Sequence, residues 1–139
     1  MKRLFFVSLA TCLIGLSSFA SEKNVPLVLK TFYKTFKNAQ NVNWTEVDDM
    51  LRIGFILNGH SQYAYYSNDE LVVVATEIKT DELPETLKAQ LAEYKGSVTQ
   101  VYEMNKNNVK EYCVVLDTPS KHIVLKGKNK WKMYLEEKK

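Results

Sequence analysis

Leu51-Arg52-Ile53-Gly54-Phe55-Ile56-Leu57-Asn58-Gly59-His60-Ser61-Gln62-Tyr63-Ala64-Tyr65-Tyr66 decides how this chain folds. Apolar residues recur at Leu51, Ile53, Phe55 and Leu57, the two-residue period of a half-buried strand. Asn58-Gly59 then interrupts the pattern. A two-residue type I′ loop needs positive φ at both of its positions, and Asn-Gly supplies them at little steric cost. A loop of that length also sets the register. Leu57 falls opposite His60, Phe55 opposite Gln62, Ile53 opposite Ala64 and Leu51 opposite Tyr66, all on one face. The other face receives Arg52, Ile56, Tyr63 and Tyr65, with Arg52 across from Tyr65 and Tyr63 across from Gly54.

The chain on either side of this hairpin fits the same architecture. Upstream, apolar residues at 25, 28, 29, 32, 33 and 36 follow the 3.6-residue period and predict a helix over about Val25–Phe36. Pro26 is tolerated because it lies in the first turn. A strand is expected near Val42–Val47, then the Asp48-Asp49 turn into the hairpin. Ser67-Asn68-Asp69 turns the chain into a β-branched strand over about Leu71–Ile78. The order then begins again. A second helix is expected from about Leu83 to Tyr94, with Asp81 as N-cap and Gly96 as the C′ residue. Strands follow near Ser97–Met104, Val109–Leu116, Lys121–Leu125 and Lys130–Leu135.

The two halves align. Val25-Pro26 matches Leu83-Pro84, Leu29-Lys30 matches Leu87-Lys88, Phe36 matches Tyr94 and Trp44 matches Tyr102. Each half reads helix–strand–strand–strand–strand. The expected fold class is therefore α+β, with two tandem αββββ repeats (24–79 and 80–136) packing helices on antiparallel sheet in one domain over 21–139. Two repeats are too few for a solenoid.

The first 20 residues read as a cleavable export signal. Lys2 and Arg3 precede an apolar stretch from Leu4 to Leu16, and Ser18-Phe19-Ala20 offers small residues before a cut at Ser21. The apolar stretch is short of the roughly 20 residues a membrane helix needs. Thr11 before Cys12 departs from the small residue expected at a lipid-attachment site. The expected location is thus the periplasm or the exterior, with no membrane span or lipid anchor after cleavage. Cleavage leaves near-neutral charge, which gives no electrostatic case for nucleic acid. It also leaves Cys113 as the sole cysteine. The exported domain must therefore hold together by its core, with Cys113 expected inside the apolar run Tyr112–Val115.

The residue types that carry chemistry are poorly arranged for it. His60 and His122 have no ligand partner at the helical or strand spacings a metal site uses, so no metal and no cofactor is expected. No nucleophile elbow, phosphate loop or dinucleotide fingerprint is present. A Cys113–His122 pair across strands is conceivable, but nothing in sequence orients the histidine. The carboxylates of Asp48, Asp49, Asp69, Glu70, Asp81 and Glu82 fall in turns and helix starts, where they cap and complement dipoles. No enzyme activity is expected.

Several motifs together resemble the PepSY-like proteins exported by Bacteroidota-type bacteria, whose fold is likened to the β-lactamase inhibitor protein. They are Val25-Pro26, Ala39 with Val42-x-Trp44, Leu57-Asn58-Gly59 with Ala64-Tyr65-Tyr66, and Thr76-Glu77-Ile78 leading to Glu82-Leu83-Pro84. Glu70 departs from the family's usual turn glycine. The resemblance implies a fold and adds a bias towards protein binding, but shape alone does not transfer function. The residues themselves point the same way. Tyrosine and arginine favour protein-binding hot spots, so Arg52, Ile56, Tyr63 and Tyr65 are the candidate binding residues, with Gly54 leaving room above the sheet. The partner would be an envelope protein or peptide. The alternative is a small-molecule or lipid carrier, which would need a closed apolar pocket between helices and sheet.

Overall fold

The computed structural model describes residues 25–139. The expected signal, its cleavage point and Cys12 lie outside the described residues. Two compact units emerge, one of residues 25–76 with 105–109 and one of 77–104 with 110–139. No helix among the described residues is long and apolar enough to cross a membrane.

The first unit opens with α1 (Val25–Thr35), which buries Val28 and Phe32. Thr31 and Thr35 donate their hydroxyls back to the carbonyls of Leu27 and Thr31, at 3.1 and 3.2 Å, so neither competes with the helix. Four strands follow: β1 (Gln40–Val47), β2 (Met50–Leu57), β3 (His60–Ser67) and β4 (Glu70–Glu77). They lie side by side in that order, and the described pairings are antiparallel. Asp48, Asn58 and Asn68 have φ of 54°, 53° and 58°, and Gly59 has 80°. The Asn58-Gly59 loop is thus the two-residue turn that its residue types demand. The register it sets runs from Leu51↔Tyr66 to Leu57↔His60, as the sequence predicts. Leu51, Ile53, Phe55, Ala64 and Tyr66 face α1 and form one core with Val28 and Phe32. Phe32 meets Phe55 edge-on at 4.9 Å between ring centroids and Phe36 at 5.1 Å.

The second unit begins with a 3₁₀ turn (Thr80–Glu82) and α2 (Glu85–Leu91). This helix is shorter than the expected Leu83–Tyr94. A residue before proline is pushed out of the α region, and Leu83 accordingly has ψ of 151°. Helical geometry can start only after Pro84, which takes the N-cap position without a side-chain cap. Asp81 therefore sits in the 3₁₀ turn rather than at the N-cap. Beyond Leu91 the chain tightens, with Glu93 and Tyr94 donating to the carbonyls of Gln90 and Leu91, each at 3.1 Å. Gly96 has φ of 123°, but it lies past these turns and is not the residue that ends the helix. The strands β5 (Ser97–Lys106), β6 (Val109–Asp117), β7 (Lys121–Gly127) and β8 (Trp131–Lys138) follow. Leu87 and Leu91 of α2 pack with Leu83, Val101, Val114, Leu116, Ile123, Leu125 and Trp131 in a second core.

In both units the sheet is buried on its second face as well. Met50, Val73 and Ala75 are buried on that face of the first unit. Tyr102, Met104, Cys113, Val115 and Val124 are buried on that of the second.

Candidate recognition face

The site begins with the pleat of β2 and β3. Because successive side chains alternate, Met50, Arg52, Gly54 and Ile56 share a face with Ser61, Tyr63, Tyr65 and Ser67. The partner strands add Asn43 and Thr45 of β1, and Val73 and Ala75 of β4. This face lies opposite the one on which α1 packs.

The four predicted residues are brought onto one face, but not at one depth. Ile56 and Tyr63 are half-buried. Arg52 is only 7% exposed and Tyr65 fully buried. The expectation that Tyr65 and Arg52 point to solvent is therefore corrected. The sheet here is not the one-sided kind with a wet back, which is the usual premise for an alternating antiparallel strand. Gly54 is corrected too. A Cβ placed there would meet Asn43 Oδ1 at 3.0 Å and the Tyr63 ring at 3.3 Å, so its space is filled by neighbours rather than open to a ligand.

Arg52 sits directly across from Tyr65, yet its guanidinium lies over the ring of Tyr63, 5.1 Å from the centroid. The cation and the half-buried Tyr63 ring thus restrain one another. Burial pushes the Tyr65 phenol up, opposed in part by the charge of Arg52. The Tyr65 hydroxyl stays protonated at any physiological pH. On the helix side, burial pushes Tyr66 up to about 12. At the C-terminal end of β3 the Ser67 hydroxyl is buried with no hydrogen-bond partner among the described residues. Sequence reasoning missed Met50, Ser67, Val73 and Ala75. The signal was available in the unbroken apolar run Val72-Val73-Val74-Ala75, which marks a strand covered on both sides.

The other chemical candidates separate. Cys113 stands opposite Lys126, and His122 opposite Asp117, so the cysteine and the histidine lie four strand positions apart, about 13 Å by strand rise. No cluster of three metal-ligating side chains exists among the described residues. A cavity of about 350 Å³ lies between segments 77–80 and 98–101 and is lined in part by Glu77, Lys79, Thr80 and Gln100. It is open and largely polar, unlike the closed apolar pocket a lipid carrier requires.

A polar cluster does close the end of the second unit. Asp117 Oδ1 forms an ion pair with Lys139 Nζ at 2.7 Å and lies 3.1 Å from His122 Nδ1. Lys139 beside it holds the Asp117 carboxyl below its usual range, with His122 adding to the effect. A carboxylate depressed in the folded state stabilises it above the unfolded value of about 3.9, and the gain is lost as pH falls through the folded value. Acid titration of stability should therefore flatten below about pH 4 in Asp117→Asn. An unchanged acid limb by urea melts across pH would show that the Lys139 contact is not populated.

Comparison with known proteins locates the fold. No family model and no curated protein matches the chain. Solved structures do. An inferred periplasmic protein of Bacteroides eggerthii DSM 20697 superposes with a TM-score of 0.72 at 16% identity, over 85% of this chain and 90% of that one. A DUF2874 family protein of Bacteroides uniformis ATCC 8492 gives 0.71 at 15% identity, over 83% and 89%. A BLIP-like protein of Bacteroides fragilis NCTC 9343 gives 0.65 at 15%, over 84% and 87%. At such identities the likeness is one of architecture, and the chain has the BLIP-like fold, with eight strands and two α-helices among the described residues.

Proposed function

We propose that this chain is an exported, non-catalytic module that binds a protein or peptide through the helix-free face of the β2–β3 hairpin. Ile56 and Tyr63 are its contact residues. Arg52 and Tyr65 are the buried support that holds Tyr63 in place. The observation that carries this reading is the Arg52 guanidinium over the Tyr63 ring, 5.1 Å from its centroid, while the tyrosine itself stays only half-buried. An aromatic ring already restrained by a neighbouring cation loses little conformational freedom on binding, which is what makes tyrosine effective at interfaces. Export is supported by the signal-like residues 1–20 and by the periplasmic description of one structural neighbour. The two-repeat, single-domain organisation and the PepSY-like relationship belong to the same proposal, supported by the matching helix and strand order of the two halves.

Affinity capture from the cell envelope tests this, with wild type beside an Ile56→Ala/Tyr63→Ala variant whose melting shows it to be folded. Losing two central contacts should weaken binding by about tenfold or more. Equal recovery of the same partners by both proteins would remove the face from consideration.

A further inference from the structure

Four lysines, Lys126, Lys128, Lys130 and Lys132, fall within seven residues at the turn from β7 to β8, with no acidic residue among them. Edge protection explains part of this, since lysine on an outermost strand discourages pairing with another chain. It explains Lys132 alone. Lys126 is on β7, which has a strand on each side, and Lys128 and Lys130 lie in the turn. Lys126 and Lys132 are also direct cross-strand partners, and like charges so placed destabilise a sheet. Lys126 is tempered by Glu111 Oε2 at 3.7 Å and by the Tyr134 ring, 5.6 Å from its centroid. Lys128, Lys130 and Lys132 are exposed and enter no ion pair among the described residues. The turn that carries them is held in place. The Asn129 carbonyl accepts from Gln90 at 2.9 Å, and a Cβ on Gly127 would collide with the Lys130 carbonyl, so the bend is tight. Beside the lysines, Met133 and Tyr134 are 51% and 36% exposed.

We infer that the β7–β8 turn is a docking site for an anionic phospholipid surface. Charge complementarity fixes the sign of the partner, because this concentration of positive charge sits in a chain whose formal charge is only +3. The apolar neighbours choose among anionic partners. A hydrated acidic polysaccharide has no use for Met133, whereas a bilayer takes a thioether into its acyl boundary and a phenol at headgroup level. β8 is the outermost strand, so Lys132 and Tyr134 from one face and Met133 from the other reach the same rim. The strand is also polar along its length. Glu136 and Glu137 lie about 13 Å or more beyond Lys132 by strand rise, so the lysine end turns to the lipid and the acidic end away from it.

Vesicle sedimentation tests this on the exported chain, with phosphatidylcholine alone and with phosphatidylcholine containing about one-third phosphatidylglycerol. Wild type should pellet with the second and not the first, and high salt should release it. Lys128→Gln/Lys130→Gln/Lys132→Gln should lower the partition coefficient about 100-fold, at roughly fivefold per lysine, with melting unchanged. The same three exchanges to arginine keep the charge and should bind within about twofold of wild type. Met133→Ser should weaken binding about two- to fivefold at constant charge. Binding to dextran sulfate without binding to the anionic vesicles overturns the inference. So does vesicle binding that survives the triple glutamine exchange, and so does a Met133→Ser variant that pellets as wild type does.

Discussion

Phe32→Ala should lower the stability of the first unit by about 3–5 kcal/mol. Phe32 is fully buried, and its ring contacts both Phe36 and Phe55, which themselves meet at a tilt with centroids 4.8 Å apart. Removing it deletes the centre of a three-ring cluster, and the two survivors come from different elements that cannot both collapse into the gap. The cost is then the lost transfer energy of the ring plus that of a residual cavity. Phe32→Leu keeps most of the volume and should cost less than half as much. Urea denaturation reads both, as a lower midpoint at nearly constant slope. A midpoint shift for Phe32→Ala no larger than that for Phe32→Leu would mean that α1 does not depend on this cluster for its position.

The helix carrying Phe32 was legible because two independent signals agree there: the 3.6 period and proline in the first turn. The hairpin was legible for a stronger reason. A two-residue loop leaves no freedom of register, so naming Asn58-Gly59 named every cross-strand pair from Leu51↔Tyr66 to Leu57↔His60. Helix α2 was legible only in part. Its apolar stripe at Leu83, Leu87, Leu91 and Tyr94 is real, since all four pack on one core, but periodicity reports which residues face inward and not which backbone is helical. Leu83 reaches the core from extended backbone before Pro84, and Tyr94 from a turn after Leu91.

The recognition face was harder to read because depth is not written in alternation. Alternation placed Arg52 and Tyr65 on the correct face of the sheet. It could not say that the face is covered at that end and half-open at Tyr63. An arginine is rarely buried unless paired, so its presence argued for solvent. Here the ring of Tyr63 supplies the pairing through its face. The apolar run Val72–Ala75 carried the contrary message, that the neighbouring strand is buried on both sides.

The second large effect should come from Trp131. Helix α2 is seven residues long, well below the roughly 12 at which an isolated helix becomes even marginal, so it must be held from outside. Trp131 at the start of β8 does this in two ways. Its indole Nε1 donates to the Leu87 carbonyl at 2.8 Å, while its ring fills the core that Leu87 and Leu91 face. Its backbone N–H donates to Gln90 Oε1 at 3.1 Å, and Gln90 Nε2 donates to the Asn129 carbonyl at 2.9 Å. The amide of Gln90 thus clamps the turn that presents Trp131. Trp131→Ala should cost about 3–5 kcal/mol, from the lost ring and the stranded carbonyl together. Trp131→Phe keeps much of the burial and loses the indole donor, for about 1–3 kcal/mol. Gln90→Ala leaves the Trp131 N–H and the Asn129 carbonyl without these partners and should fall near 1–2 kcal/mol. Because the two side chains hold one turn against one helix, Gln90→Ala with Trp131→Phe should be non-additive, with a coupling of at least about 0.5 kcal/mol. The chain's other tryptophan, Trp44, is exposed, so the blue-shifted part of the fluorescence reports Trp131 directly. Strict additivity in that cycle would mean that α2 is held by its leucines alone, and that the clamp is a consequence of the packing rather than a cause of it.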